Sequence, residues 1–274
     1  MILTRVSLLI IWAIATTMAG SATASEPVRL YAAGSLRAAL TEIAAAFEQA
    51  SGNQIEAKYG ASGLLRDEIV AGARTEVFAS ANMEHPQALA GSGKSGPVVL
   101  FARNRLCALV RPGIAAEPDT LLDRMLDPAV KLATSTPKAD PSGDYAWEVF
   151  RKADTIRSGS FARLSQKALQ LVGGPSSPQF GDRNPYGALL ADGRADIFLA
   201  YCTGARTAVT EHPDQRIVAL PNALAVGADY GLTVLLNASP PAHQFAMFIL
   251  SPTGQRILAK HGFSAPNLPQ GDIQ

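Results

Sequence analysis

The sequence lacks long apolar runs and an excess of charge of either sign. Hydrophobic residues make up 47% of its 274 residues, yet no run reaches the ~18 consecutive apolar residues that a stable membrane span requires. The 24 basic and 23 acidic residues nearly cancel, whereas a nucleic-acid surface would show as a basic excess. These two absences exclude a membrane-embedded chain and a nucleic-acid-binding protein.

Motifs for metal and hydrolytic chemistry are also missing. The four histidines stand too far apart in sequence for the spacing of a zinc site: His85, His212, His243 and His261. The sequence contains no G-x-S-x-G nucleophile elbow and no Walker pattern. We therefore expect neither a resident metal nor a cofactor.

The N-terminus has the pattern of a secretory signal peptide over residues 1–24. Arg5 supplies the positive start, residues 6–15 are mostly apolar, and residues 22–24 (Ala-Thr-Ala) form a small-x-small cleavage site. Arg5 is the only charged residue in this segment, so the chain from Ser25 onward carries 23 basic and 23 acidic residues. A neutral, exported, periplasmic protein is predicted to act on a small ligand or a protein partner.

Cysteine is scarce, with only Cys107 and Cys202 and no C-x-x-C pair. An exported protein meets an oxidising compartment, where two cysteines can form one disulfide. Two separate buried thiols are an equal alternative, because the sequence alone does not bring the cysteines together.

Short apolar runs alternate with amphipathic helical stretches along the chain. Val28–Ala33 has the pattern of a strand, and the pattern predicts two further strands at 98–102 and 106–110 and a helix over 165–172. Strands that alternate with helices favour parallel sheets covered on both faces. Two such sets predict an α/β protein with two lobes.

Four segments share one design, in which a loop of small residues leads into a helix. They are AAGSL (32–36), GASGLL (60–65), DPSGDY (140–145) and RNPYGAL (183–189). Backbone N–H groups at a helix start, with serine hydroxyls beside them, can hold an anion. Ser35, Ser62 and Ser142 are equally the residue type that caps helices, so capping alone is the competing interpretation.

Tyr201 ends the apolar segment DIFLAYC. It is either a core tyrosine with a paired hydroxyl or a hydroxyl donor at the carboxyl end of a strand, where open α/β sheets place ligands.

Together these segments resemble the periplasmic molybdate-binding proteins of ATP-binding-cassette importers, which are type 2 periplasmic binding proteins. The segments that carry the resemblance run in the family's order through nearly the whole mature chain: LYAAGSLRAALTEIAAAFEQASG, YGASGLLRDEIVAGARTEVFASANMEHPQAL, DPSGDYAWEVF, GALLADGRADIFLAYCTGA and FAMFILSPTGQRILAKHGF. The resemblance implies two α/β lobes with an oxyanion in the cleft between them. One lobe would hold 26–105 and 229–274, and the other 106–228.

The resemblance also implies the ligand-binding residues. Ser35 and Ser62 would donate hydroxyl and backbone N–H bonds, Ser142 would donate a backbone N–H, and Tyr201 a hydroxyl. Pro185 lacks the N–H that many relatives donate at its position, so Tyr186 or Asn184 would replace it.

The implied function is the capture of molybdate, and of tungstate, by hinge closure for delivery to a membrane permease. The protein would be a monomer that performs no chemistry. Asp140 and Asp144 depart from the family pattern, since a carboxylate beside a dianion repels it. Alternatives are another oxyanion, a small organic anion paired with Arg183, a sensor protein, and an exported serine hydrolase.

Overall fold

The computed structural model describes residues 26–178, 180–181 and 183–266. The signal peptide expected over 1–24 lies outside the described residues. No helix within the described ranges combines the length and the apolar character that crossing a membrane requires.

The described chain forms nine strands and ten α-helices that alternate over most of its length. The strands are β1 (Val28–Ala33), β2 (Ile55–Gly60), β3 (Val77–Ser80), β4 (Val99–Val110), β5 (Leu132–Ser135), β6 (Leu169–Val172), β7 (Ile197–Tyr201), β8 (Arg216–Ala219) and β9 (Gly227–Val234). The helices are α1 (Arg37–Ser51), α2 (Ser62–Val70), α3 (Glu84–Gly91), α4 (Leu121–Leu126), α5 (Pro141–Ile156), α6 (Ser160–Lys167), α7 (Pro185–Ala191), α8 (Cys202–Glu211), α9 (Pro240–Leu250) and α10 (Pro252–Lys260).

The strands form a curled sheet in the order β2-β1-β3-β9-β4-β7-β5-β6, with β8 paired to β4. In the first lobe β1 lies parallel to β2 and β3, and β9 is antiparallel to β3. In the second lobe β5 lies parallel to β6 and β7. The protein is therefore a two-lobed α/β fold, as the sequence pattern predicted.

Strand β4 runs through both lobes. Its residues up to Arg105 pair with β9 of the first lobe, and Leu106–Val110 pair with β7 and β8 of the second. The prediction of two separate strands at 98–102 and 106–110 was wrong, because the polar residues between them keep their backbone pairing with β9. The strand pairing thus changes lobe after Arg105, and the exact ranges of the two lobes stay a prediction.

The helix predicted over 165–172 was also wrong. Helix α6 ends at Lys167, Ala168 has extended dihedral angles, and Leu169–Val172 form strand β6. Parallel pairing with β5 supplies the backbone hydrogen bonds that a longer helix would have supplied.

Helix α1 shows how the helices cover the sheet. Leu40, Ile43 and Phe47 recur at helical spacing and are buried, and the Phe47 ring lies 5.2 Å from that of Phe245 on α9. Gly52 ends the helix with a φ of 74°, a left-handed conformation that glycine adopts without steric cost.

The two cysteines form a disulfide between Cys107 on β4 and Cys202, the first residue of α8, with their Cα atoms 5.0 Å apart. Cys107 lies opposite Ala200 in the β4–β7 ladder, so the sheet pairing brings the two cysteines together. The alternative of two separate thiols is therefore wrong. The bond fixes the segment that follows Tyr201 to the strand shared by the two lobes.

Candidate functional site

A cleft of about 550 Å³ lies between the two lobes. Four of the five residues that the sequence singled out line it: Ser35 and Ser62 from the first lobe, and Tyr186 and Tyr201 from the second. Ser142 is fully buried below this surface, and its backbone N–H donates to the Asp140 carboxyl over 3.0 Å. The fold thus brings together residues that lie up to 166 positions apart in the sequence.

Helix starts converge on the cleft from both lobes. The residues at these starts line it at five places: the 3-10 turn Gly34–Leu36 that leads into α1, and helices α2, α5, α7 and α8. Each helix start carries unpaired N–H groups and the positive end of the helix dipole. The cleft therefore favours a negatively charged ligand.

Only two of these starts are capped by a side chain. The Asp140 carboxyl caps α5, and the Asn184 side chain caps α7 by accepting the N–H groups of Tyr186 and Gly187 at 3.0 and 3.1 Å. No side-chain cap is present at Gly34–Leu36, α2 or α8. Capping as the role of Ser35, Ser62 and Ser142 was therefore wrong.

The hydroxyl of Ser35 forms a hydrogen bond with a buried tyrosine. Its oxygen lies 2.9 Å from the hydroxyl of Tyr230. The Tyr230 hydroxyl accepts a hydrogen bond from the side-chain amide of Asn104 at 3.2 Å. Either hydroxyl can donate in this pair, and because a buried tyrosine hydroxyl needs an acceptor, we infer that Tyr230 donates to Ser35. Ser35 is then an acceptor within the protein and a donor towards the cleft.

The hydroxyls of Ser62 and Thr203 are also hydrogen-bond acceptors within the protein. The backbone N–H of Ala81 donates to the Ser62 hydroxyl at 3.1 Å, and the Asn104 amide donates to the Thr203 hydroxyl at 2.9 Å. Both residues line the cleft. The hydroxyl hydrogen of each residue can therefore be donated to a ligand that accepts hydrogen bonds.

Sequence reasoning missed Thr203 and the two residues behind it, Asn104 and Tyr230. Thr203 follows a strand and starts a helix, which is the same signal that marked the other loops. Asn104 and Tyr230 gave no local signal, because their role depends on contacts 99 to 195 positions away along the chain.

The hydroxyl of Tyr201 reaches across the cleft. It donates to the carbonyl of Ala81 in the first lobe over 3.4 Å, which is a long and therefore weak hydrogen bond. Burial, with the neighbouring charges of Tyr230 and Asp140, raises the pKa of Tyr201 well above its ordinary value. The hydroxyl stays protonated and can turn towards a ligand as a donor.

Tyr186 contributes a phenol rather than a backbone group. Its N–H is taken up by Asn184, so it does not replace the N–H that Pro185 lacks. Its ring packs on Phe198 with the ring centroids 4.8 Å apart. Burial raises the pKa of Tyr186, so its hydroxyl is a neutral donor at the cleft.

The two carboxylates noted in the sequence lie in different places. Asp140 lines the cleft, and burial together with the nearby Asp144 carboxylate raises its pKa to about 6. Asp144 is not among the lining residues. Its carboxyl accepts the backbone N–H of Lys138 over 2.8 Å. Only Asp140 is therefore placed to meet a bound ligand.

Cationic side chains line the outer part of the cleft. Arg37 stacks over the Tyr59 ring at 4.8 Å, and Lys58 forms an ion pair with Glu68. Arg183 lines the second-lobe side and is exposed. These groups raise the local concentration of anions without being the donors of the inner site.

The described residues show no arrangement for hydrolysis or metal binding. The hydrogen-bond partners of Ser35 and Ser62 are Tyr230 and Ala81 rather than a histidine. His261, which lines the cleft, is bonded to Glu42 at 2.8 Å. The part of the chain that the structure describes also holds no group of three or more His, Cys, Asp or Glu side chains that could bind a metal. The inner site combines neutral hydroxyl donors with the Asp140 carboxyl.

Comparison with known sequences points in the same direction. The profile of the family of bacterial extracellular solute-binding proteins matches residues 28–264. An uncharacterized protein of Pasteurella multocida (strain Pm70), PM1146, is 33% identical over 243 residues, covering 88% of this chain and 99% of that protein. The molybdate-binding protein ModA of Mycobacterium tuberculosis (strain ATCC 25618 / H37Rv) is 25% identical over 256 residues, covering 92% and 90%.

Solved structures share the two-lobed fold. The periplasmic molybdate-binding protein of Azotobacter vinelandii superposes with a TM-score of 0.68 at 18% identity and covers 89% of this chain and 100% of its own. The sulfate-binding protein SubI of Mycobacterium tuberculosis H37Rv has a TM-score of 0.72 at 17% identity, covering 88% and 87%. At such identities the likeness shows the fold alone. With the profile match over residues 28–264, the chain belongs to the family of bacterial extracellular solute-binding proteins.

Proposed function

We propose that this protein captures molybdate, and tungstate, in the periplasm and delivers it to the membrane permease of an ATP-binding-cassette importer. One observation carries the proposal. The hydroxyls of Ser62 and Thr203 each accept a hydrogen bond from a fixed donor of the protein, so each offers its hydrogen to the cleft, and the Ser35 hydroxyl lies beside them in a pair with the Tyr230 hydroxyl. A ligand that carries hydrogen-bond acceptors on all sides matches this arrangement of donors.

Fully deprotonated tetrahedral oxyanions are such guests, since all four oxygens accept hydrogen bonds. Each bond from a neutral donor to a charged acceptor is stronger than one between neutral groups. The spacing of the donors would separate the larger molybdate and tungstate from sulfate. The ModA relative, named for molybdate binding, supports this choice of ion.

Closure of the two lobes around the ion fits the contacts across the cleft. The N–H of Gly63 on α2 donates to the carbonyl of Ala139 in the second lobe at 2.9 Å. The two lobes are joined through β4 and β9, which can act as a hinge. In this proposal the protein acts as a monomer without a cofactor and performs no chemistry.

The test is calorimetric titration of the chain from Ser25 with molybdate, tungstate, sulfate and phosphate at one pH. We expect tight binding of molybdate and tungstate. The double variant Ser35→Ala/Ser62→Ala should weaken that binding by more than about tenfold, since two charge-assisted hydrogen bonds are lost. Ser95→Ala is the matched control, because Ser95 is a buried serine of the first lobe away from the cleft.

Two different results would contradict two different parts of the proposal, the binding site and the choice of ion. Unchanged affinity in the double variant would refute the site, provided that thermal unfolding shows both variants folded. Failure of the unsubstituted protein to bind molybdate or tungstate would refute the ion.

A second candidate is a small organic anion bound in the same cleft. The observation that favours it is Arg183, which lines the cleft beyond the inner donors and can pair with a carboxylate. An affinity for organic anions that Arg183→Ala abolishes, with no response to molybdate, would favour this candidate.

A further inference from the structure

Asp140 is the one feature of the cleft that the capture of a dianion does not explain. It lines the cleft together with Ser62 and Tyr201. Its carboxyl is held in place, because it accepts the N–H of Ser142 at 3.0 Å as the cap of α5. It also packs against Gly173, where an added Cβ would lie 2.5 Å from the Asp140 carboxylate oxygen Oδ2. The cap and the close approach to Gly173 hold the carboxyl at the cleft.

Asp140 has no ion-pair partner among the residues that the structure describes. The titratable groups that face it are the Asp144 carboxylate on α5 and the phenols of Tyr186 on α7 and Tyr201 at the end of β7. Ser135 on β5 contributes only a hydroxyl.

We propose that Asp140 is a ligand-binding residue that acts as a carboxylic acid: its carboxylate takes up one proton from solution as the oxyanion binds, and the resulting O–H donates to an oxygen of the ion. The reactants are the Asp140 carboxylate, one proton from solution and the dianion. The product is a neutral carboxylic acid that is hydrogen-bonded to the dianion. This inference rests on the proposed capture of an oxyanion.

The physical reason is repulsion between like charges. A carboxylate and a dianion at hydrogen-bond distance cannot both stay charged in a site that excludes water. Asp140 is already poised for the change, since burial and Asp144 raise its pKa to about 6 in the empty cleft. An arriving dianion raises that pKa further, so the acid form dominates in the complex at neutral pH. Protonation also converts Asp140 from an acceptor into a further donor.

The test counts protons. Titration of molybdate into the protein is repeated at pH 7.5 in two buffers with different heats of ionisation, and the difference gives the number of protons taken up. We expect about one proton per ion at pH 7.5 and a value that falls towards zero at pH 5, where Asp140 is already protonated. The dissociation constant should rise about tenfold from pH 7 to pH 8, because one proton is linked to binding.

Asp140→Asn is the decisive variant. Asparagine keeps the helix cap and places a fixed N–H₂ donor where the acid O–H would lie. We expect this variant to bind at pH 8 at least as tightly as the unsubstituted protein, with no proton uptake and no pH dependence. Asp144→Asn is the matched control and should keep the uptake of one proton, because Asp144 does not line the cleft.

The outcomes separate this inference from the choice of ion. Binding of molybdate without proton uptake, or a folded Asp140→Asn variant that binds more than tenfold more weakly, overturns the role of Asp140 alone. Binding of sulfate but not molybdate, with uptake of one proton, overturns the ion and supports Asp140. A third outcome is that the protein binds only hydrogen phosphate, takes up no proton on binding, and loses this binding in Asp140→Asn. This outcome overturns both the ion and the role of Asp140, since the Asp140 carboxylate would then accept the ligand's own proton. Absence of binding to any of these ions also overturns both.

Discussion

Gly63→Ala is predicted to keep the protein folded but to stop the two lobes from closing. Gly63 is the second residue of α2 and is buried. A Cβ at this position would lie 2.5 Å from the carbonyl oxygen of Lys138 and 2.7 Å from that of Ala139. Both carbonyls belong to the second lobe, so the clash exists only when the lobes are together.

The opposing segment cannot yield easily. The N–H of Lys138 is held by the Asp144 carboxyl at 2.8 Å, and the N–H of Asp140 by the carbonyl of Thr136 at 2.9 Å. Lys138 also has a φ of 68°, a left-handed conformation that is unfavourable for a residue with a side chain. The lobes must therefore separate, which also lengthens the Gly63–Ala139 hydrogen bond.

The loss of stability of the closed form can be estimated from the steric clash and from the weakened hydrogen bond. Overpacking costs about 1–3 kcal/mol, and the hydrogen bond contributes about 0.5–1.5 kcal/mol. The closed form then loses roughly 2–4 kcal/mol, and the affinity for an ion held between the lobes falls about 30- to 1,000-fold. The unliganded, open protein should be as stable as before, or slightly more stable, because alanine favours the helix.

The assay combines calorimetric titration with molybdate and small-angle scattering, in which the ion should no longer reduce the radius of gyration. Gly91→Ala is the matched control, since Gly91 is also a helical glycine of the first lobe and an added Cβ there meets nothing within 4 Å. If Gly63→Ala binds the ion as tightly as the control, closure through this contact is refuted.

Two predictions concern stability. The variant Cys107→Ser/Cys202→Ser should lose about 4 kcal/mol of unfolding free energy, since the bond closes a loop between residues 95 positions apart, and an unchanged unfolding midpoint in guanidinium would contradict this. Burial alone would raise the pKa of Asp196, but the Lys131 N–H and the Arg111 guanidinium outweigh it and hold the pKa below its usual range. The stability that Asp196 contributes is therefore present above about pH 4, its unfolded value, and is lost as the pH falls through the lower folded value. Asp196→Asn should cost about 2 kcal/mol at pH 7 and less at pH 3, as urea unfolding at both pH values would show; an equal cost at both would contradict the assignment.

Much of the fold could be predicted from the sequence because periodicity is a local property. The strand at Val28–Ala33 follows from its apolar pattern. The errors arose where tertiary pairing decided the outcome. Leu169–Val172 continues a helical pattern but pairs with β5 instead, and β4 continues through polar residues because β9 pairs with it.

The sequence indicated loops that line one cleft, but not the hydrogen bonds behind them, and their role in binding stays a prediction. Small residues after strands located Ser35, Ser62 and Tyr201 at one cleft. Which hydrogens are free depends on Asn104 and Tyr230, which are distant in sequence and have no motif. The competing interpretation of Ser142 as a cap was wrong because Asp140 caps that helix instead, and Asp and Ser have nearly equal preferences at such positions.

The convergence of helix starts has a consequence for the empty protein. The 3-10 turn before α1 and helix α2 belong to one lobe, and α5, α7 and α8 to the other, so closure without an ion would press positive ends together. Asp140, ionised when the cleft is empty, lies among these ends as a built-in counter-ion. When a dianion arrives and Asp140 takes up a proton, the charge of these two groups changes from −1 to −2, so the field within the cleft changes by half of what the ion alone would impose.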